Sequence, residues 1–181
     1  AFLRFTPSPD GQRLAAVAQG VQSQELRLYD LRTGTHETLD QALYVSGASW
    51  SPDGRTLVYR KYDFEDPDTE MLMMRRVDSP EAPRVLLTSK IPIGMVPSSY
   101  LADNFLLVGV GMIGGTDMII DPTADPVRVD SLSIRANFVS ISPDRKWIAY
   151  TPQAATGVSV QPWPAMDRKY TIDASGREPL W

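Results

Sequence analysis

Along the chain, short apolar runs alternate with polar breaks rich in proline and glycine. Runs at 13–18, 56–60, 105–108 and 146–151 are each followed, after a loop, by a second run at 25–29, 71–77, 116–120 and 158–163. Third runs come at 36–39, 84–87, 127–129 and 169–172, and fourth runs at 44–50 and 138–141. Short segments enriched in Val, Leu, Ile, Tyr and Trp, bounded by turn residues, are the mark of β-strands. No stretch carries the i, i+3, i+4 spacing of an amphipathic helix, and the 15 prolines and 12 glycines fall mainly between the runs. The pattern predicts an all-β chain.

One phrase punctuates the runs. It reads Ser8-Pro9-Asp10-Gly11, then Ser51-Pro52-Asp53-Gly54, then Ser142-Pro143-Asp144 with Arg145 in place of the glycine. Proline presets φ for the first corner of a turn, aspartate bonds nearby backbone, and glycine accepts a positive φ. Pro9 and Pro52 stand 43 positions apart, and Pro52 and Pro143 stand 91 apart, about two periods. The missing copy is Ser99-Tyr100-Leu101-Ala102-Asp103-Asn104, which keeps an aspartate and the following strand but has lost the proline. Four strands in a unit of about 45 residues, repeated, is the arrangement of a β-propeller blade.

The predicted architecture is therefore a β-propeller segment of four four-stranded antiparallel blades, with units at 1–43, 44–92, 93–134 and 135–177. Residues 178–181 open a further unit, because Trp181 matches Trp50, which directly precedes Ser51. The expectation is a segment of a larger propeller, or one that closes by pairing with another copy. Open sheet edges and faces predict self-association.

Composition narrows the function. Net charge is −4 and basic residues do not cluster, which argues against nucleic-acid binding. With no cysteine there is no disulfide framework, thiolate metal site or cysteine nucleophile. The longest apolar run, 105–115, is shorter than the roughly 20 residues of a membrane-spanning helix.

The segments 50–59 and 142–150 resemble the repeat of TolB-like, WD-repeat-like β-propellers. The last unit, with Val158-Ser159-Val160-Gln161-Pro162-Trp163-Pro164, then Tyr170-Thr171-Ile172, then Gly176-Arg177-Glu178-Pro179-Leu180-Trp181, resembles propellers fused to bacterial serine/threonine protein kinases. That resemblance implies a non-catalytic interaction or sensor module in an extracytoplasmic, periplasmic setting. The alternatives are the accessory propeller of a prolyl-oligopeptidase-like serine hydrolase and a TolB-like periplasmic scaffold.

Candidate chemistry is sparse. Gly109-Val110-Gly111-Met112-Ile113-Gly114 matches a dinucleotide fingerprint in letters only. That fingerprint needs a helix N-terminus for the phosphates, and a strand-like run follows, so it reads as a hairpin and no cofactor is expected. Asp63, Asp66 and Asp68, with Glu65 and Glu70, could offer oxygens to a hard cation. Their spacing is not that of an EF-hand, and a solvated acidic loop is the simpler reading. His36 is the only histidine, and no Gly-x-Ser-x-Gly elbow is present, so no catalytic residue is expected.

Antiparallel strands place the Ser-Pro-Asp turns and the breaks near 30–34 on one face of the propeller. The loops at 19–24, 63–70, 111–115 and 152–157 lie on the other. Binding residues concentrate on loops carried by a rigid scaffold. A protein or small-ligand partner is therefore expected on the loop face, with Gln22, Gln24, Glu65, Asp66, Asp68, Met112 and Gln153 as candidates. Pro9, Asp10, Gly11, Trp50, Pro52, Asp53, Gly54, Pro143, Asp144 and Trp147 are expected to be structural repeat positions.

Overall fold

A computed structural model describes residues 2–91, 93–100, 105–110, 117–132, 134, 136–144, 146–152, 156–176, 179 and 181. Met112 and Gln153 lie outside these residues, as do Arg145 and the rest of residues 111–116.

Four sheets of four antiparallel strands follow one another in chain order. The first holds β1 (Phe2–Pro7), β2 (Arg13–Gln19), β3 (Gln24–Asp30) and β4 (His36–Ala42). The second holds β5 (Tyr44–Trp50), β6 (Thr56–Tyr62), β7 (Glu70–Arg76) and β8 (Arg84–Ser89). The third holds β9 (Met95–Tyr100), β10 (Leu106–Val110), β11 (Met118–Asp121) and β12 (Arg128–Ser131). The fourth holds β13 (Ala136–Ile141), β14 (Trp147–Pro152), β15 (Val158–Pro162) and β16 (Tyr170–Asp173). No helix occurs among the described residues. First strands adjoin across sheets: the Thr6 hydroxyl donates to the Ala48 carbonyl at 3.2 Å, and Ser49 to that of Ser98 at 3.5 Å. These are the blades of a propeller, with β1, β5, β9 and β13 innermost.

The core lies between sheets rather than within one. Ala15, Val17, Leu26 and Leu28 of the first sheet pack against Val45, Trp50, Leu57 and Tyr59 of the second. Val58, Leu72 and Leu86 meet Met95, Leu106, Val108 and Ile120 of the third. Leu107 and Leu132 meet Ile148 of the fourth. Fully burying such a side chain contributes about 1.5–3 kcal/mol, so each sheet depends on its neighbours.

The repeated phrase forms a closed turn. The Ser8 hydroxyl bonds Asp10 at 2.5 Å and receives the Arg13 amide at 2.9 Å, while Asp10 receives the Gln12 amide at 3.0 Å. Ser51 and Asp53 repeat this with Thr56 and Arg55, and Ser142 and Asp144 with Trp147 and Lys146. Gly11 and Gly54 both sit at φ 68°, where a side chain is strained. The serine hydroxyl is the first cause holding the Asp10, Asp53 and Asp144 carboxyls below the ordinary carboxylate value.

Trp50 and Trp147 occupy different places in the repeat. Trp50 ends the innermost strand of its sheet, pairs with Leu57 and donates from Nε1 to the Thr6 carbonyl at 3.0 Å, with Arg13 stacked 5.4 Å over its ring. Trp147 begins a second strand, the place that Arg13 and Thr56 hold elsewhere. The residue that shares Trp50's contact is Trp181, whose Nε1 donates to the Ser140 carbonyl at 3.1 Å.

Candidate functional site

A groove of about 510 Å³ lies on the outer side of the fourth sheet, lined by Trp147, Val158, Val160, Tyr170, Ile172 and Trp181. Register explains it. Ala149 opposite Val160 repeats Ala15 opposite Leu28, the pair that the second sheet seals. The groove is thus a sheet-packing side of ordinary composition. Its counterpart on the first sheet carries exposed Phe2, Leu3 and Phe5.

The loop face differs from both. Its crossovers are clasped from within. Glu70, fully buried at the start of β7, accepts the amides of Ile93, Gly94 and Met95 at 2.8, 3.0 and 2.5 Å. It also pairs with Arg60 at 3.3 Å. Gln24, at the start of β3, does the same for the preceding crossover, accepting the Val45 amide at 3.0 Å. The sequence pattern makes Gln24 a candidate binding residue, whereas its carboxamide is turned to the next sheet. The signal for both clasps was in the repeat: each stands two residues before a fully buried leucine, Leu26 or Leu72.

Around the Arg60–Glu70 pair lies an aromatic cluster that sequence reasoning missed. Arg60 donates from Nε to Ser46 at 3.0 Å and from Nη2 to the Tyr44 phenol oxygen at 3.1 Å. Its guanidinium lies 5.2 Å over the Tyr44 ring and 6.0 Å over Tyr62, and the two rings meet edge to face. Cross-strand pairing of Tyr44 with Tyr62 brings them together. Hydrogen bonding from Ser46, then the charges of Arg60 and Arg4, hold the Tyr44 phenol below its ordinary value.

A second network joins the first two sheets. The buried Tyr59 hydroxyl donates to Asp40, Lys61 pairs with Asp40 at 3.4 Å, and Lys61 reaches Asp63 at 3.1 Å. Desolvation, reinforced by Asp40, raises the Tyr59 phenol strongly.

The acidic loop does not converge. Asp63 faces Lys61, while Asp66 bonds Thr69 and Lys90, both at 2.6 Å. Glu65 and Asp68 are exposed, as is Gln22. Among the described residues no three His, Asp or Glu side chains are grouped to hold a metal ion. After Gly109 and Val110 the next described element is the strand β11, paired antiparallel with β10. His36 is exposed at the start of β4 and stacks on Tyr29 at 4.7 Å.

Exposed apolar residues separate the two faces. Val21, Leu43, Phe64 and Ile91 project from the loops and crossovers of the loop face. Among the described connections of the turn face, Leu31 is the only large apolar side chain that does so.

This is a β-propeller of TolB-like fold. Superposed on TolB from Acinetobacter baumannii, it gives a TM-score of 0.75 at 19% identity, covering 98% of this chain and 45% of that one. A puromycin hydrolase gives 0.70 at 17% identity, covering 97% and 31%. The β-propeller domain of the Trilobed protease from Pyrococcus furiosus, described as having an open velcro topology, gives 0.62 at 14%, covering 94% and 56%. This chain thus spans less than half the length of the TolB it matches. No family profile matches the sequence, and no curated protein does.

Proposed function

We propose that the chain is a non-catalytic interaction or ligand-sensing module whose partner, a protein or a small ligand, docks on the loop face. The supporting observation is the asymmetry of exposed apolar residues. Val21 is 100% exposed, Ile91 72% and Phe64 52%, all on one face, which also carries exposed Gln22, Glu65 and Asp68. Apolar tips within a polar rim are the composition of an interaction surface. In the fuller reading the module is the periplasmic sensor part of a bacterial serine/threonine receptor kinase. The likeness to a puromycin hydrolase supports a second reading, the accessory propeller of a serine hydrolase.

The test compares two variants in quantitative binding to a partner isolated on the wild-type chain. Val21→Ser/Phe64→Ser/Ile91→Ser is expected to weaken binding at least tenfold, since several buried apolar contacts are lost. Leu31→Ser is expected to leave it unchanged. Equal binding by all three proteins would remove the loop face from consideration.

A further inference from the structure

In the first two sheets the loop face is made of four segments, 19–24, 40–44, 60–70 and 89–95. Each carries one exposed apolar tip: Val21, Leu43, Phe64 and Ile91 in turn. Side-chain bonds join the segments in series. Gln41 donates from Nε2 to the Ser23 hydroxyl at 2.7 Å, tying the first loop to the crossover that follows β4. Asp40 pairs with Lys61 at 3.4 Å, and Lys61 reaches Asp63 at 3.1 Å, tying that crossover to the next loop. Lys90 donates to Asp66 at 2.6 Å, tying this loop to the crossover that carries Ile91. The tips therefore stand on neighbouring, mutually bonded loops that span both sheets.

The charge of this surface is one-sided. Its four segments hold six carboxylates and three cations, a net −3 in a chain of −4. Every cation is already held: Arg60 by Glu70 at 3.3 Å, Lys61 by Asp40 and Asp63, and Lys90 by Asp66. Glu65 and Asp68 are exposed and pair with no cation among the described residues. Glu65 directly follows Phe64 in the chain, so apolar and anionic groups share one loop.

We propose that the loop face of the first two sheets docks a basic segment of a partner protein, one in which lysine or arginine is interleaved with apolar side chains. The apolar tips receive the partner's apolar groups, and Glu65 and Asp68 receive its cations. Uncompensated charge selects the opposite sign and rejects its own. It therefore turns away nucleic acid and anionic lipid headgroups, and favours a cationic peptide over both. Loops already bonded to one another lose little freedom on binding, so new contacts appear as affinity. The inference rests on the reading of the loop face as the docking face, and it names the chemistry recognised there.

The experiment uses the whole chain and three probes: the peptide acetyl-Lys-Leu-Lys-Val-Lys-Leu-Lys-amide, its analogue with Glu for every Lys, and phosphatidylglycerol vesicles. Binding is followed by the NMR amide shifts of Val21, Phe64 and Ile91 and by calorimetry. The Lys peptide is expected to shift these amides saturably, with an affinity that falls as ionic strength rises past about 0.1 M. The Glu peptide and the vesicles are expected not to bind. Glu65→Gln/Asp68→Asn is expected to weaken the Lys peptide about fivefold, the effect of removing two exposed charge contacts. Glu81→Gln, an exposed carboxylate of the turn face, is expected to leave it unchanged. Glu65 and Asp68 are exposed, so their variant should melt with the wild type, which a thermal scan checks. Equal binding of the Glu peptide, binding of the vesicles, or indifference to Glu65→Gln/Asp68→Asn would each overturn the proposal. For a partner isolated on the wild-type chain, loss of binding in the Val21/Phe64/Ile91 variant but not in the Glu65/Asp68 variant would overturn this inference and keep the docking face. Indifference to both would overturn both.

Discussion

Glu70→Gln tests the clasp between the second and third sheets. The carboxylate is fully buried, and its two oxygens divide four donors between them. Oε2 takes the Ile93 and Gly94 amides, while Oε1 takes the Met95 amide and Arg60. Glutamine keeps the shape but replaces one oxygen with an NH2 group. In either orientation that group faces two donors: Met95 N–H with Arg60, or the Ile93 and Gly94 amides. The variant thus loses two charge-assisted bonds and leaves buried donors opposed to a donor. Each buried unsatisfied group costs about 1–3 kcal/mol, and removing one partner of a buried ion pair costs about 3–5 kcal/mol. Arg60 keeps Ser46 and Tyr44 as partners, which places the expected loss near the lower end, about 3 kcal/mol. For a chain of this length that corresponds to a fall in Tm of roughly 6–12 °C. Guanidinium unfolding at equilibrium, with the thermal midpoint beside it, measures it. A loss below about 0.5 kcal/mol, the range of ordinary surface substitutions, would refute the assignment of Glu70 as the clasp.

Ser51→Ala removes the hydroxyl that holds both Asp53 and the Thr56 amide, and is expected to cost about 1–2 kcal/mol in the same assay. The Asp10, Asp53 and Asp144 carboxyls are depressed in the fold, so the stability they contribute is present above the ordinary value of 3.8 and lost as pH falls below it. Midpoints measured across the acid range should therefore drop below about pH 4, and less steeply in Ser51→Ala. Tyr59 and Tyr100 are held protonated by burial, the latter pushed up to about 12, so stability is full below the ordinary value of 10.0 and declines as pH rises past it. Tyr59→Phe should cost about 1–2 kcal/mol at neutral pH and blunt that alkaline decline, both read from unfolding curves.

The fold was legible because its signals are local. Turn chemistry at Ser8, Ser51 and Ser142 and short apolar runs between turns identify strands whatever their partners. The period then counts blades even where the phrase is lost near Ser99. Trp50 and Trp147 show the limit of such reading. Both are tryptophans beside a Ser-Pro-Asp turn, yet one closes an inner strand and the other opens the next, and only the register separates a sealed ring from one lining an open groove. The site was less legible for the same reason. Tyr44 meets Tyr62 through cross-strand pairing, Arg60 meets Glu70 across β6 and β7, and Glu70 reaches residues 93–95 in the next sheet. None of these is a sequence neighbour, and a buried glutamate in an acidic stretch looks like one more loop carboxylate until its partners are placed.

The two faces divide the work differently, and this links the clasp to the Tyr44–Arg60 cluster. On the turn face each Ser-Pro-Asp unit closes on itself, its hydroxyl and carboxylate bonding within the turn. On the loop face the same side chains serve assembly and presentation. Glu70 fixes the third sheet on the second and also holds Arg60, and Arg60 orients Tyr44 and Ser46. Damage to the clasp must therefore reach the Tyr44–Arg60 cluster, while damage to a turn need not. Under fully folded conditions, Glu70→Gln should shift the NMR resonances of Tyr44 and Ser46 as well as lower stability, because Arg60 loses one of its three anchors. Ser51→Ala should lower stability and leave those resonances in place. Equal shifts in the two variants would show that the Arg60–Glu70 pair does not couple the blade junction to the aromatic cluster.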